Sequence, residues 1–136
     1  MRFLLLLIAC AAAPLLSSGA VGVAVHPLAG TNWSVVKVQG IAAPTGATLS
    51  FGADRVTGNS GCNAFWAPVD YSDPPAIDIG APQSKRIYCA GAMSFERAYL
   101  AALETVQSYA LEGDTLKMMM HDGDVFLELQ AKTSGD

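Results

Sequence analysis

Gly58-Asn59-Ser60-Gly61-Cys62-Asn63-Ala64-Phe65, read together with Ile87-Tyr88-Cys89-Ala90 further along, decides how this chain folds. Asn59, Ser60 and Gly61 tolerate left-handed or tight-turn geometry, so they predict a sharp connection just ahead of Cys62. The chain has three cysteines, and the third, Cys10, lies in a leader-like opening. In an oxidising compartment Cys62 and Cys89 are therefore expected to close a disulfide. A close Cys-x-x-Cys spacing, usual in redox pairs, is absent, which favours a structural crosslink over sulfur chemistry.

The opening supports that compartment. Arg2 supplies a positive charge, Phe3-Leu4-Leu5-Leu6-Leu7-Ile8-Ala9 starts an apolar run to Leu16, and Ser18-Gly19-Ala20 suits a cleavage site. Residues 1–20 read as a signal peptide. Pro14 and a length short of roughly 20 apolar residues argue against a membrane span. Leu7-Ile8-Ala9-Cys10 also resembles a bacterial lipobox, which would make Cys10 a lipidation site; the other reading loses Cys10 with the leader. Both leave two cysteines to pair. The protein is expected in the periplasm or secreted, or as an outer-membrane lipoprotein if Cys10 is acylated.

Residues 21–27 read as a linker and 28–131 as one domain. Without the leader, 7 basic residues stand against 12 acidic ones. Only Lys85-Arg86 are adjacent, so no basic stripe exists to neutralise a phosphate backbone, and nucleic-acid binding is excluded.

Period-two and turn signals predict strands at Ser34–Gln39, Ala47–Phe51, Arg55–Gly58, Phe65-Trp66, Val69–Tyr71 and Ala76–Ile79. Pro68 separates the two middle pieces. Ser94 is a plausible N-cap for a helix to Gln107, with Glu96 in its first turn. Phe95, Ala98, Tyr99, Ala102, Leu103 and Val106 form its apolar stripe. A meander closes the chain: Tyr109–Leu111, Thr115–His121, a two-residue Asp122-Gly123 hairpin turn, and Val125–Gln130. On that last strand Val125, Leu127 and Leu129 are expected opposite Phe126, Glu128 and Gln130.

These pieces resemble the META domain family, which includes the heat-shock protein HslJ. The carriers are Leu28-Ala29-Gly30-Thr31-Asn32-Trp33, the Gly58–Phe65 run, Cys89 ahead of Glu96-Arg97-Ala98-Tyr99-Leu100, and Gly113-Asp114-Thr115-Leu116 followed by Asp122-Gly123. The match spans roughly residues 28–130. Where the family often has Thr-x-Met-Ala-Cys, this chain has Ser84-Lys85-Arg86-Ile87-Tyr88-Cys89. The resemblance implies an α+β fold, an antiparallel, partly open β-barrel-like sheet with one packed helix. It also implies an envelope or secreted location with links to stress and drug tolerance. It brings neither a cofactor nor catalytic residues.

Other chemistry reads weakly. Met118, Met120 and His121 suggest a Cu(I) site, but Met118 and Met120 share one strand face while Met119 and His121 share the other. Core-filling methionine is the better reading. Asp114, Asp122 and Asp124 lack the ligand series of a calcium loop. The chain has only His26, in the linker, and His121 as imidazole bases, and Gly-x-Ser-x-Gly does not occur, so serine catalysis has no recognisable constellation. Glu96 and Glu104 lie about 12 Å apart along the helix, too far for paired-carboxylate glycoside chemistry. Phe65 and Trp66 must face opposite sides, which leaves Trp66, with Tyr71, as an expected contact surface.

The expected function is that of a monomeric, non-enzymatic binding or stress-protective factor whose partner is an envelope protein or a small apolar ligand. Membrane contact would come only through a lipid at Cys10. The alternative is a lipid or copper carrier using the sheet cavity or the Met/His strand. A hydrolase ranks last.

Overall fold

The described residues form ten strands and one helix: β1 (Asn32–Val38), β2 (Ile41–Ala42), β3 (Ala47–Phe51), β4 (Arg55–Ser60), β5 (Ala64–Asp70), β6 (Asp78–Ile79), β7 (Gln83–Ser84), α1 (Met93–Thr105), β8 (Ser108–Glu112), β9 (Thr115–Met119) and β10 (Val125–Ala131). The structure is a computed structural model and describes Pro14 and residues 26–132. The signal segment apart from Pro14, Cys10 and linker residues 21–25 lie outside the described residues.

The strands pair antiparallel in the order β6-β5-β4-β3-β1-β10-β9-β8, with β2 on β1 and β7 on β5. The two ends of the sheet nearly meet. Ile77 N–H donates to Gln107 O at 3.1 Å and Tyr109 N–H to Pro75 O at 3.0 Å, around an isolated Ala76–Ser108 bridge. The result is an α+β fold, a nearly closed antiparallel barrel with an unsealed seam and one helix, as the resemblance implies.

β5 shows the alternation most plainly: Phe65, Ala67 and Val69 are buried, whereas Ala64, Trp66, Pro68 and Asp70 face out. Pro68 does not break the strand, contrary to the sequence expectation. Its carbonyl accepts from Gly80 N–H at 2.9 Å, so its missing donor points to the same side, into the gap between β6 and β7. The ladder is already interrupted there, and the proline costs no bond.

Turns set the register elsewhere. Gln39 (φ 49°) and Gly40 (φ 79°) occupy the two-residue turn between β1 and β2, where both central residues need positive φ. The β9–β10 connection corrects the two-residue expectation. Gly123 N–H donates to Met120 O at 3.0 Å and Met120 N–H to Asp124 O at 3.3 Å, giving a three-residue His121-Asp122-Gly123 loop. A bulge between Val125 and Leu127 then shifts the register. Val125 turns outward while Phe126 and Leu127 are both buried, overturning the simple alternation expected there.

α1 packs its stripe into the barrel core. Phe95, Tyr99, Ala102, Leu103 and Val106 are buried with Leu49, Val56 and Leu129, and the Tyr99 hydroxyl donates to Thr48 O at 2.8 Å. The helix starts at Met93, with Ala92 at the N-cap and no side-chain cap bond. Ser94 therefore lies inside the helix, not at its cap.

Candidate functional site

The Gly58–Phe65 run comprises the end of β4, the Gly61–Asn63 turn and the start of β5, interlocked by side-chain hydrogen bonds. Ser60 N–H donates to Asn63 O at 3.0 Å. The Ser60 hydroxyl accepts from Cys62 N–H (3.3 Å) and Asn63 N–H (3.1 Å). With its lone pairs so engaged, its hydrogen goes to Glu96 Oε1 at 2.7 Å. Asn63 holds residue 87 as a strand neighbour would: Nδ2 donates to Ile87 O at 2.9 Å and Oδ1 accepts from Ile87 N–H at 3.0 Å. Cys62 and Cys89 form the expected disulfide, with S–S 2.04 Å and Cα–Cα 6.0 Å.

Two glycines in the run are required by space. A Cβ on Gly58 would come within 2.7 Å of the Phe65 ring, which lies across the strand over it. A Cβ on Gly61 would meet the Pro44 ring at 2.6 Å, and its φ of +93° disfavours any other residue. Ser60 and Glu96 could be mistaken for a nucleophile and its partner. Ser60 is fully buried, Glu96 is 7% exposed, and every hydrogen-bonding position of the hydroxyl is occupied by the fold. The cluster joins β4, the disulfide loop and the helix, and presents no open reaction site.

The open surface lies on the outer face of the same strands. Thr57, Trp66 and Gln83 stand in one row across β4, β5 and β7. Trp66 is 40% exposed, and the Arg55 guanidinium lies 4.8 Å from its ring centroid, a cation–π contact. Lys85 N–H donates to Ala64 O at 3.2 Å and so extends the β7 ladder. These residues line a groove of about 590 Å³.

The family model for the META domain matches residues 26–133. The chain belongs to the META domain family. No curated protein matches it. This META domain is similar in fold to a protein from Burkholderia xenovorans solved by NMR, with TM-score 0.63 and 22% identity over 86% of this chain and 97% of the other. It is also similar to a DUF4847 family protein from Bacteroides vulgatus, a crystal structure with TM-score 0.58 and 13% identity over 79% of this chain and 96% of the other. At these identities the likeness is one of fold.

The META domain places the remaining sequence-derived residues apart from one another. Trp66 and Tyr71 do not form one contact surface. They differ in parity along the chain, and Tyr71 is half-buried with its hydroxyl donating to Gly52 O at 2.6 Å. Burial pushes the Tyr71 phenol up to about 12. His26, expected in a linker, belongs to the fold: its ring stacks on Tyr71 at 4.3 Å and meets Tyr109 edge-on at 5.6 Å. Desolvation holds its imidazole below the ordinary histidine value. Of the proposed copper ligands, Met118 is fully buried in the core and Met120 half-buried. His121 sits on the exposed hairpin with Nδ1 3.2 Å from Gln107 Oε1. Among the described residues no three His, Cys, Asp or Glu side chains cluster as metal ligands.

Sequence reasoning missed the burial of Glu96 and its bond to Ser60, and the stacking of Arg55 on Trp66. Glu96 had a readable signal, because it is spaced i, i+3, i+7 with Tyr99 and Leu103 and so shares the buried stripe. Arg55 had none, since its stacking on Trp66 depends on β4–β5 register.

Proposed function

We propose that the protein is an exported, non-enzymatic binding factor of the cell envelope, acting in stress or drug tolerance, and that its contact surface is the Trp66 groove. The observation that carries this is the division of labour in the Gly58–Phe65 region. Its inward and turn residues are occupied by hydrogen bonds, the disulfide and core packing, while Trp66 alone among the tryptophans is open to solvent. Trp33, by contrast, is buried with its indole N–H on Thr31 Oγ1 at 2.8 Å. An exposed tryptophan in a concave, partly polar setting suits recognition. The disulfide supports an oxidising location. A carrier using the barrel interior has less support, because Leu49, Tyr99, Leu103, Leu127 and Leu129 fill it.

The test is photo-crosslinking in the intact envelope, with benzoylphenylalanine replacing Trp66 in one strain and the exposed Leu111 in another. One discrete, reproducible adduct at position 66 but not at 111 is expected. The same smear at both positions, or no adduct at 66, overturns the reading.

A further inference from the structure

We propose that the Trp66 groove takes a small planar organic acid, a ring bearing a carboxylate; this rests on the groove being the contact surface. The ring would lie against the indole of Trp66, and the carboxylate would be taken by the Arg55 guanidinium, with the Lys85 charge on the far side of the indole adding to the positive field of the groove.

Charge carries the argument first. The chain is acidic, with a formal net charge of −4, yet the groove lining contains Arg55 and Lys85 and no carboxylate. Arg55 is only loosely matched: Asp54 Oδ1 stands 3.8 Å from its Nε, with both side chains exposed, an ion pair of little strength. Among the described residues Lys85 has no acid within salt-bridge distance. Two cations without a strong acidic partner lining one groove in an anionic protein favour an anion there.

Geometry supplies the second part. Phe65 pairs with Ser84 and Trp66 with Gln83, so Lys85 stands opposite Ala64 on the outer face. Arg55 pairs with Pro68 on the other side of Trp66. The indole is thus flanked along the sheet by a cation on each side, and the Ala64 methyl leaves a recess beside it. Stacking on Trp66 holds the guanidinium in place, so its fork of N–H donors can meet a carboxylate with little further ordering. Thr57 and Gln83 add neutral hydrogen-bonding groups at the rim. The groove volume of about 590 Å³ falls within the range used by small ligands.

Proton–nitrogen correlation spectra of the purified, oxidised protein test this directly, because Trp66 and Trp33 each give one indole N–H signal and Trp33, in the core, is an internal control. Titration with naphthoate should move the Trp66 signal saturably and leave Trp33 in place. Naphthamide, which keeps the ring without the charge, and cyclohexanecarboxylate, which keeps the charge without the flat ring, should each bind about tenfold more weakly or worse. Arg55→Gln should weaken naphthoate by about tenfold, the effect of one charge-assisted hydrogen bond. Equal binding of the amide or of the cyclohexane acid overturns the inference, as does the absence of a saturable shift with naphthoate. If naphthoate fails while position 66 still gives its discrete adduct, the ligand class is wrong and the binding surface stands. If both fail, the binding surface is wrong as well.

Discussion

Leu103→Asp should leave the chain unfolded at room temperature. Leu103 is fully buried at the centre of the α1 stripe, beside Tyr99 and Ala102. Aspartate there loses the leucine contacts and places a carboxylate among apolar neighbours. Losing the leucine costs about 2–5 kcal/mol and the unpaired buried carboxylate several more, a sum that matches the lower part of the total stability of about 5–15 kcal/mol for a domain of this kind. Far-ultraviolet circular dichroism should show loss of the cooperative thermal transition. Leu103→Met, which nearly conserves volume, should cost less than about 1.5 kcal/mol and retain the transition. A cooperative melt for Leu103→Asp within about 1 kcal/mol of wild type would mean that the helix does not seal the core.

Removing the crosslink should give the second largest change. The Cys62–Cys89 bridge has a sequence separation of 27 residues, and in the chain-entropy view its loss costs about 3.5 kcal/mol. The Cys62→Ser/Cys89→Ser variant should still fold, because the Asn63 amide continues to hold residue 87 through two hydrogen bonds. Its urea midpoint should fall, and its m-value should rise, since the unfolded chain is no longer tied and exposes more surface. Reduction of the wild type should reproduce both changes. Equal midpoints for oxidised and reduced protein would remove the crosslink from the list of stabilising features.

Much of this architecture was legible in the residues because local signals agreed with the final packing. The helical stripe from Phe95 to Val106 and the in–out alternation around Phe65-Trp66 each follow from a fixed periodicity. The pairing of Cys62 with Cys89 was also readable from cysteine number and context, whereas the turn expected over Asn59–Gly61 falls at Gly61–Asn63, because Asn59 and Ser60 continue the β4 ladder. What escaped depended on partners distant in sequence. Glu96 looked like an ordinary first-turn acid, because its partner Ser60 lies 36 residues away. His26 looked like linker, because the rings that hold it, Tyr71 and Tyr109, come from opposite sides of the seam. The bulge after Val125 reverses the facing of Val125 and Phe126, and nothing in Val125–Gln130 marks it. Pro68 signalled a strand break because proline lacks a donor; only the gap between β6 and β7 shows that no donor was wanted there. The outer groove needs the β4–β5–β7 register, which brings Arg55, Trp66 and Lys85 together from separated positions.

The most direct measurement is a double-mutant cycle between Ser60→Ala and Glu96→Ala, read by urea unfolding of the four proteins. If the signature run and the helix form one interlocked unit, the two changes share a buried hydrogen bond and should be strongly non-additive, with a coupling energy of about 1–2 kcal/mol. Costs that simply add, within about 0.5 kcal/mol, would contradict the structural role assigned to the run and would reopen Ser60 and Glu96 as functional groups.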